Sequence, residues 1–126
     1  MVFEEIIEPV VKEFKPEIII RNGGSDSHFS DPLTSLNLTV EGFRTIGEKV
    51  RNLAKICKGK EIDLIASGYN LKVLNYCWAA LFSGLLNLKI KISEPFGLPN
   101  IKEPINRVRE LILKIKKHFK KYWKSL

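Results

Sequence analysis

The sequence predicts an α/β fold: one βαβ unit with parallel strands, flanked by further helices. Three observations carry this. Two short apolar runs, Glu17 to Arg21 and Glu61 to Ser67, read as strands. The stretch between them holds a helical pattern of apolar residues. Strand, helix, strand in one sheet makes a parallel, right-handed crossover. The unbroken isoleucines 18–20 predict burial on both faces, as in the middle of a parallel sheet.

In chain order, Val2 to Phe14 reads as a helix, with Phe3, Ile6, Ile7, Val10, Val11 and Phe14 on one side. Glu4, Glu5 and Glu8 near its start suit the helix dipole. Pro9 should kink it or mark an early turn, and Lys15-Pro16 should end it. After the first strand and a polar loop, Thr39 can cap a helix lined by Val40, Phe43, Ile46, Val50, Leu53, Ala54 and Cys57. Lys58-Gly59-Lys60 gives its stop. Asn70 to Asn87 is apolar nearly all round and predicts a largely buried helix. Lys89 to Ile92 alternates charge and isoleucine, the pattern of a short edge strand. Ser93 to Pro99, with two prolines and Gly97, is a connector. Pro104 to Lys124 is the last helix. Its apolar residues recur at alternating three and four, a heptad spacing that suits a coiled coil, with packing on the chain's own body or on a missing neighbour preferred.

At 126 residues the chain is one domain, 1–126, divided into an α/β part, 1–100, and a basic helix, 101–126. Residues 1–100 carry 12 basic and 12 acidic side chains; the net charge of +7 arises wholly after residue 100. Such a tail either touches an anionic polymer or is a solvated helix face, and the second reading is preferred. Cys57 and Cys77 fall on apolar helical faces, which predicts buried free thiols and a reducing, cytoplasmic setting. No signal peptide is evident at Met1. The most apolar run, Val73 to Leu88, is interrupted by asparagines and is shorter than the ~20 residues a bilayer needs.

The functional signal lies in Asn22 to Leu38, NGGSDSHFSDPLTSLNL. A polar loop after a strand sits at the strand's carboxyl end, where open α/β sheets bind ligands. It carries Gly23, Gly24, Asp26, His28 and the turn-forming Asp31-Pro32. That makes it a candidate metal site. His28, two residues from Asp26, can share a metal with it or be structural, and Asp31 is read as fixing the turn. His118, among lysines, is expected to be exposed.

Asp26-Ser27-His28, then Asp31-Pro32-Leu33 and Leu36-Asn37-Leu38-Thr39, resemble the carboxyl-terminal metal loop of the histone deacetylase and acetylpolyamine amidohydrolase family. Gly68-Tyr69-Asn70 resembles that family's glycine-tyrosine loop, and Tyr122-Trp123-Lys124-Ser125-Leu126 its bacterial-type chain ending. The resemblance implies the carboxyl-terminal part of an arginase/deacetylase-like three-layer fold. It also implies zinc-assisted hydrolysis of an acetyl amide, as in acetyl-lysine or an acetylpolyamine. Carried over by position, Asp26 is a zinc ligand and Tyr69 the oxyanion donor, while Leu33 and Gly68 line the substrate channel. Ala66-Ser67 and Ser25 depart from the family pattern and put side chains where backbone should approach closely.

A catalytic zinc usually takes three protein ligands, and the matched motif supplies one. The family's paired histidines have no counterpart. The chain alone is therefore expected to be silent, a split or truncated portion. Its partner is expected to be a complementary amino-terminal chain, or a second copy of itself. A two-stranded parallel sheet with both edges open points the same way, unless helices cover the edges. The alternative reading is a non-catalytic module that binds or assembles through the basic last helix.

Overall fold

The computed structural model describes residues 1–100 and 104–126; the first three residues of the expected basic segment, 101–103, lie outside the described residues. The chain forms two compact units. One is Ile18–Asn100, and the other gathers Met1–Glu17 with the carboxyl-terminal segment.

The α/β unit holds β1 (Ile19–Asn22), α2 (Val40–Ala54), β2 (Glu61–Leu64) and α3 (Leu74–Leu85). The strands pair in parallel, Ile19 with Glu61 through Asn22 with Leu64, so the βαβ unit forms as the sequence predicts. Thr39 caps α2, its hydroxyl accepting from the Gly42 N–H at 3.2 Å. The helix tightens into a 3₁₀ turn at Lys55–Cys57, and Lys58 and Gly59 take positive φ to end it. Both cysteines are buried and unpaired.

The core lies between the two helices. Val40 and Phe43 of α2 pack with Val73 and with Cys77, Ala80 and Leu81 of α3. The helices touch backbone to backbone, because a glycine from each stands at the crossing. A Cβ on Gly47 would lie 2.2 Å from the Leu81 carbonyl oxygen, and one on Gly84 would lie 2.1 Å from that of Arg44.

Three expectations are corrected here. Burial of both sheet faces does not occur: Ile20 is 62% exposed, Ile62 45% and Leu64 52%. These side chains share one face, and α3 lies against the other, where Gly23 approaches Leu81. α3 is buried along one stripe only, leaving Tyr76 and Leu86 exposed. Residues 89–92 form no strand; the Ile90 carbonyl accepts from the Arg44 guanidinium at 3.1 Å instead of from a neighbouring strand.

The helix-facing side of the sheet carries charge. Register partners Arg21 and Asp63 form an ion pair at 2.5 Å, with the Asp63 side chain only 4% exposed. Burial and the neighbouring Asp63 carboxylate push the Glu61 carboxyl up to about 7, against the pull of Arg21. A carboxyl whose folded pKa is raised binds its proton more tightly folded than unfolded. Its ionisation therefore erodes stability as pH rises from about 4.5 to about 7. We expect Glu61→Gln to raise the melting temperature at pH 8 and to leave it unchanged at pH 4.5. A gain of the same size at both values would show that charge is not its source.

In the other unit a π-helical turn, Phe3–Ile7, runs into α1 (Glu8–Phe14). Pro9 falls where the π-helical turn passes into α1, inside one continuous helical run, so the irregularity of that helix lies where the proline removes an N–H from the ladder. Lys15 then adopts positive φ and ends the helix before Pro16. α4 spans Ile105–Phe119 and stops short of the expected Lys124, because the chain turns at Tyr122 and Trp123. There the Lys124 and Ser125 N–H groups donate to the Glu13 carboxylate. Trp123 meets Phe14 edge-on at 6.3 Å, and Lys116 pairs with Glu5 at 3.2 Å. Part of the basic segment's charge is thus answered by the acidic first helix. Ile112 is buried, whereas Ile105, Phe119 and Tyr122 stay exposed. Among the described residues no helix is long and apolar enough to cross a membrane.

Candidate functional site

Because β1 and β2 are parallel neighbours, the loops that follow them leave the sheet side by side. Pairing continues beyond the strands: the Gly23 N–H donates to the Leu64 carbonyl at 2.8 Å and the Ser25 N–H to the Ser67 carbonyl at 3.0 Å. The contact is close. A side chain at Gly68, whose φ is +139°, would put its Cβ 2.0 Å from the Ser25 hydroxyl. Ser67 itself takes φ +71°, a left-handed conformation that glycine adopts more readily. The two serines that depart from the family pattern therefore stand at the tightest point between the loops. Ser25 is buried there and its hydroxyl makes no hydrogen bond.

Asp31 joins the loops. Its buried carboxylate accepts the Leu33 N–H on Oδ1 and the Tyr69 N–H on Oδ2, both at 2.9 Å. Burial pushes its pKa upward, but the backbone N–H groups of Tyr69, Leu33, Asn70 and Thr34 outweigh that and hold it below the usual aspartate range. Leu33 and Tyr69, both expected at the substrate channel, are thus brought to one carboxylate through their backbones. Their side chains remain exposed, at 68% and 53%.

Asp26 is half-buried. Its backbone carbonyl accepts from the Thr34 hydroxyl, while its carboxylate makes no hydrogen bond among the described residues. One of its oxygens borders the space over Gly24, which Ser67 and the Ala66 carbonyl also border.

His28 is fully buried. The Ser30 N–H donates to its Nδ1 at 3.2 Å, which places the ring proton on Nε2, 3.1 Å from Glu94 Oε1. The other Glu94 oxygen accepts the Val40 N–H at 3.0 Å, at the amino end of α2, where the helix dipole favours a carboxylate. His28 also stacks on Phe43, with ring centroids 6.4 Å apart. Both ring nitrogens are occupied, so His28 holds the loop to α2 and does not share a metal with Asp26. His118 lies on exposed surface, edge-on to Phe119.

The sequence reading missed Glu94, Asn70 and Ser30. The Asn70 amide donates at 2.9 Å to both the carbonyl and the hydroxyl of Ser30, a second tie between the loops. Asn70's place beside Tyr69 was a usable signal. For Glu94 none existed, since its partner His28 is 66 positions away.

Among the described residues no group of three or more His, Cys, Asp or Glu side chains can hold a metal ion. Asp26 is of a kind that fits one oxygen ligand of zinc.

Residues 1–85 match the histone deacetylase domain model. The chain is 33% identical to a probable deacetylase of Archaeoglobus fulgidus, covering 98% of this chain and 37% of that protein. It is 36% identical to the chloroplastic histone deacetylase 14 of Arabidopsis thaliana, over 91% of this chain and 28% of the relative. Against the acetoin utilization protein AcuC of Staphylococcus aureus the figures are 40% identity, 71% and 23%. Among solved structures it superposes on the HDA15 HD domain with a TM-score of 0.74 at 20% identity, and on the histone deacetylase Clr3 with 0.76 at 22%. Those superpositions cover 98% of this chain but only 30% and 19% of the others, and they establish the arginase/deacetylase fold. The chain thus spans about a quarter to a third of the length of the relatives it matches.

Proposed function

The chain belongs to the histone deacetylase family, and from that premise we propose that it is the carboxyl-terminal part of a zinc-dependent amidohydrolase acting on acetyl-lysine or an acetylpolyamine. It is silent alone and active when a complementary chain brings the remaining metal ligands and the general base. One observation carries the reading: Asp31 ties Tyr69 to the Asp26 loop, while among the described residues the Asp26 carboxylate makes no hydrogen bond.

Zinc in the completed site would polarise the acetyl carbonyl and acidify a bound water. The rest of this chain's contribution is positional. Asp26 offers one carboxylate oxygen to the metal. The Tyr69 hydroxyl, on the loop held by Asp31, donates to the oxygen on which charge develops. Leu33, on the same carboxylate clamp, presents an apolar wall to the acyl-bearing side chain.

The test adds the part of the Archaeoglobus fulgidus probable deacetylase that this chain does not span. Zinc retained after desalting and hydrolysis of an acetyl-lysine peptide are then measured. The mixture should retain about one zinc and turn over substrate, and the chain alone should do neither. Tyr69→Phe should lower turnover roughly a hundredfold with zinc retained, and Asp26→Ala should lose the zinc. Folded, associated halves that retain no zinc would overturn the proposal.

A further inference from the structure

The uncovered sheet face is the feature this chain's own elements leave unexplained. Ile20, Ile62 and Leu64 stand together on it, each roughly half or more exposed. Parallel sheets are normally covered on both faces by helices. Among the described residues the sheet has two strands, so both outer edges there lack a partner strand. The helix-covered side carries Arg21, Glu61 and Asp63 beside Ile19, whereas the open side carries Ile20, Ile62 and Leu64 beside Asn22. The more apolar of the two faces is therefore the open one, the reverse of what a sheet complete in itself would show.

We infer that the Ile20/Ile62/Leu64 face and the adjoining strand edge form the docking surface for the complementary part of a deacetylase domain, which covers the face with a helix layer and extends the sheet with parallel strands. The inference rests on the function proposed above and adds where the partner binds. Two features favour this occupant over a second copy. The same fold occurs in solved chains of which this one covers only 30% and 19%, so those chains hold much more than these elements. Site geometry gives the other. Strands added in parallel bring their carboxyl ends, and the loops after them, to the end of the sheet where Asp26 lies. A closed two-fold pairing of identical edge strands runs them antiparallel and sends the two Asp26 loops to opposite ends. Stacking two copies face to face adds only a second Asp26, still fewer than the three ligands a catalytic zinc takes.

Binding of that unspanned Archaeoglobus fulgidus part is measured by titration calorimetry. Ile20→Glu combined with Ile62→Glu should weaken binding at least tenfold and leave the chain's own circular dichroism and melting unchanged, since both side chains face solvent. Leu113→Glu, an exposed apolar position on α4, should leave binding unchanged. Equal weakening by Leu113→Glu, or binding indifferent to the sheet-face pair, overturns the inference. So does a dimer of this chain, seen by sedimentation, that the sheet-face pair dissociates while the partner part fails to bind. Partner binding that is sensitive to the sheet face but retains no zinc upholds the docking surface and removes the proposed chemistry instead.

Discussion

Gly84→Ala should destabilise the chain by about 3 kcal/mol, and Gly84→Val should abolish its cooperative unfolding transition in urea. Propensity alone argues the other way, since alanine in a helix interior is favoured over glycine by ~1 kcal/mol. Space decides against it. A Cβ at Gly84 would lie 2.1 Å from the Arg44 carbonyl oxygen and 2.8 Å from the Glu48 nitrogen, both backbone atoms that cannot rotate aside. α2 and α3 must separate, and with them the packing of Val40, Phe43, Ala80 and Leu81 loosens. Overpacking of this kind costs ~1–3 kcal/mol, more where rigid backbone is the obstacle. Gly47→Ala meets the Leu81 carbonyl at 2.2 Å across the same crossing. The double variant should therefore cost less than the sum of the two, because one separation relieves both clashes. Additive losses would show that the glycines act at independent places.

That crossing illustrates what the sequence withholds. The period of α2, its Thr39 cap and its glycine stop are local signals, and all three appear in the structure. A glycine inside a helix is locally only a weak position, and nothing near Gly47 says that Gly84 lies opposite. The isoleucine run marks a strand but not which of its faces this chain can cover. Lys89 to Ile92 shows how a period-two pattern misleads where no neighbouring strand is available to pair with it. The site divides in the same way. The two loops that carry Asp26 and Tyr69 were legible because each follows a strand, the roles of those two residues came only from the family resemblance, and the Asp31-Pro32 turn was legible from residue type. The reach of Asp31 to the Tyr69 N–H, 38 positions away, was not.

The sharpest contrast in the site lies between two aspartates five residues apart. Asp31→Ala should cost about 3 kcal/mol, because it removes two hydrogen bonds to an ionised acceptor, each worth ~1.5–3 kcal/mol. Exchange of the Leu33 and Tyr69 amide hydrogens should quicken with it. Asp26→Ala should stay within ~0.5 kcal/mol of the parent, since among the described residues its carboxylate makes no hydrogen bond. Acid offers a second reading of the same clamp. The Asp31 pKa is lower folded than unfolded, so its contribution is complete above the ordinary aspartate value of ~4. It is lost as pH falls through the folded value below that. The stability gap between the parent and Asp31→Ala should accordingly be full at pH 6 and shrink on acidification below about pH 4, as read by urea unfolding at each pH. A gap that persists undiminished to pH 2 would mean that the side chain acts by shape and not by charge. A large loss from Asp26→Ala would mean that this carboxylate is committed to the fold and is not free to hold a metal.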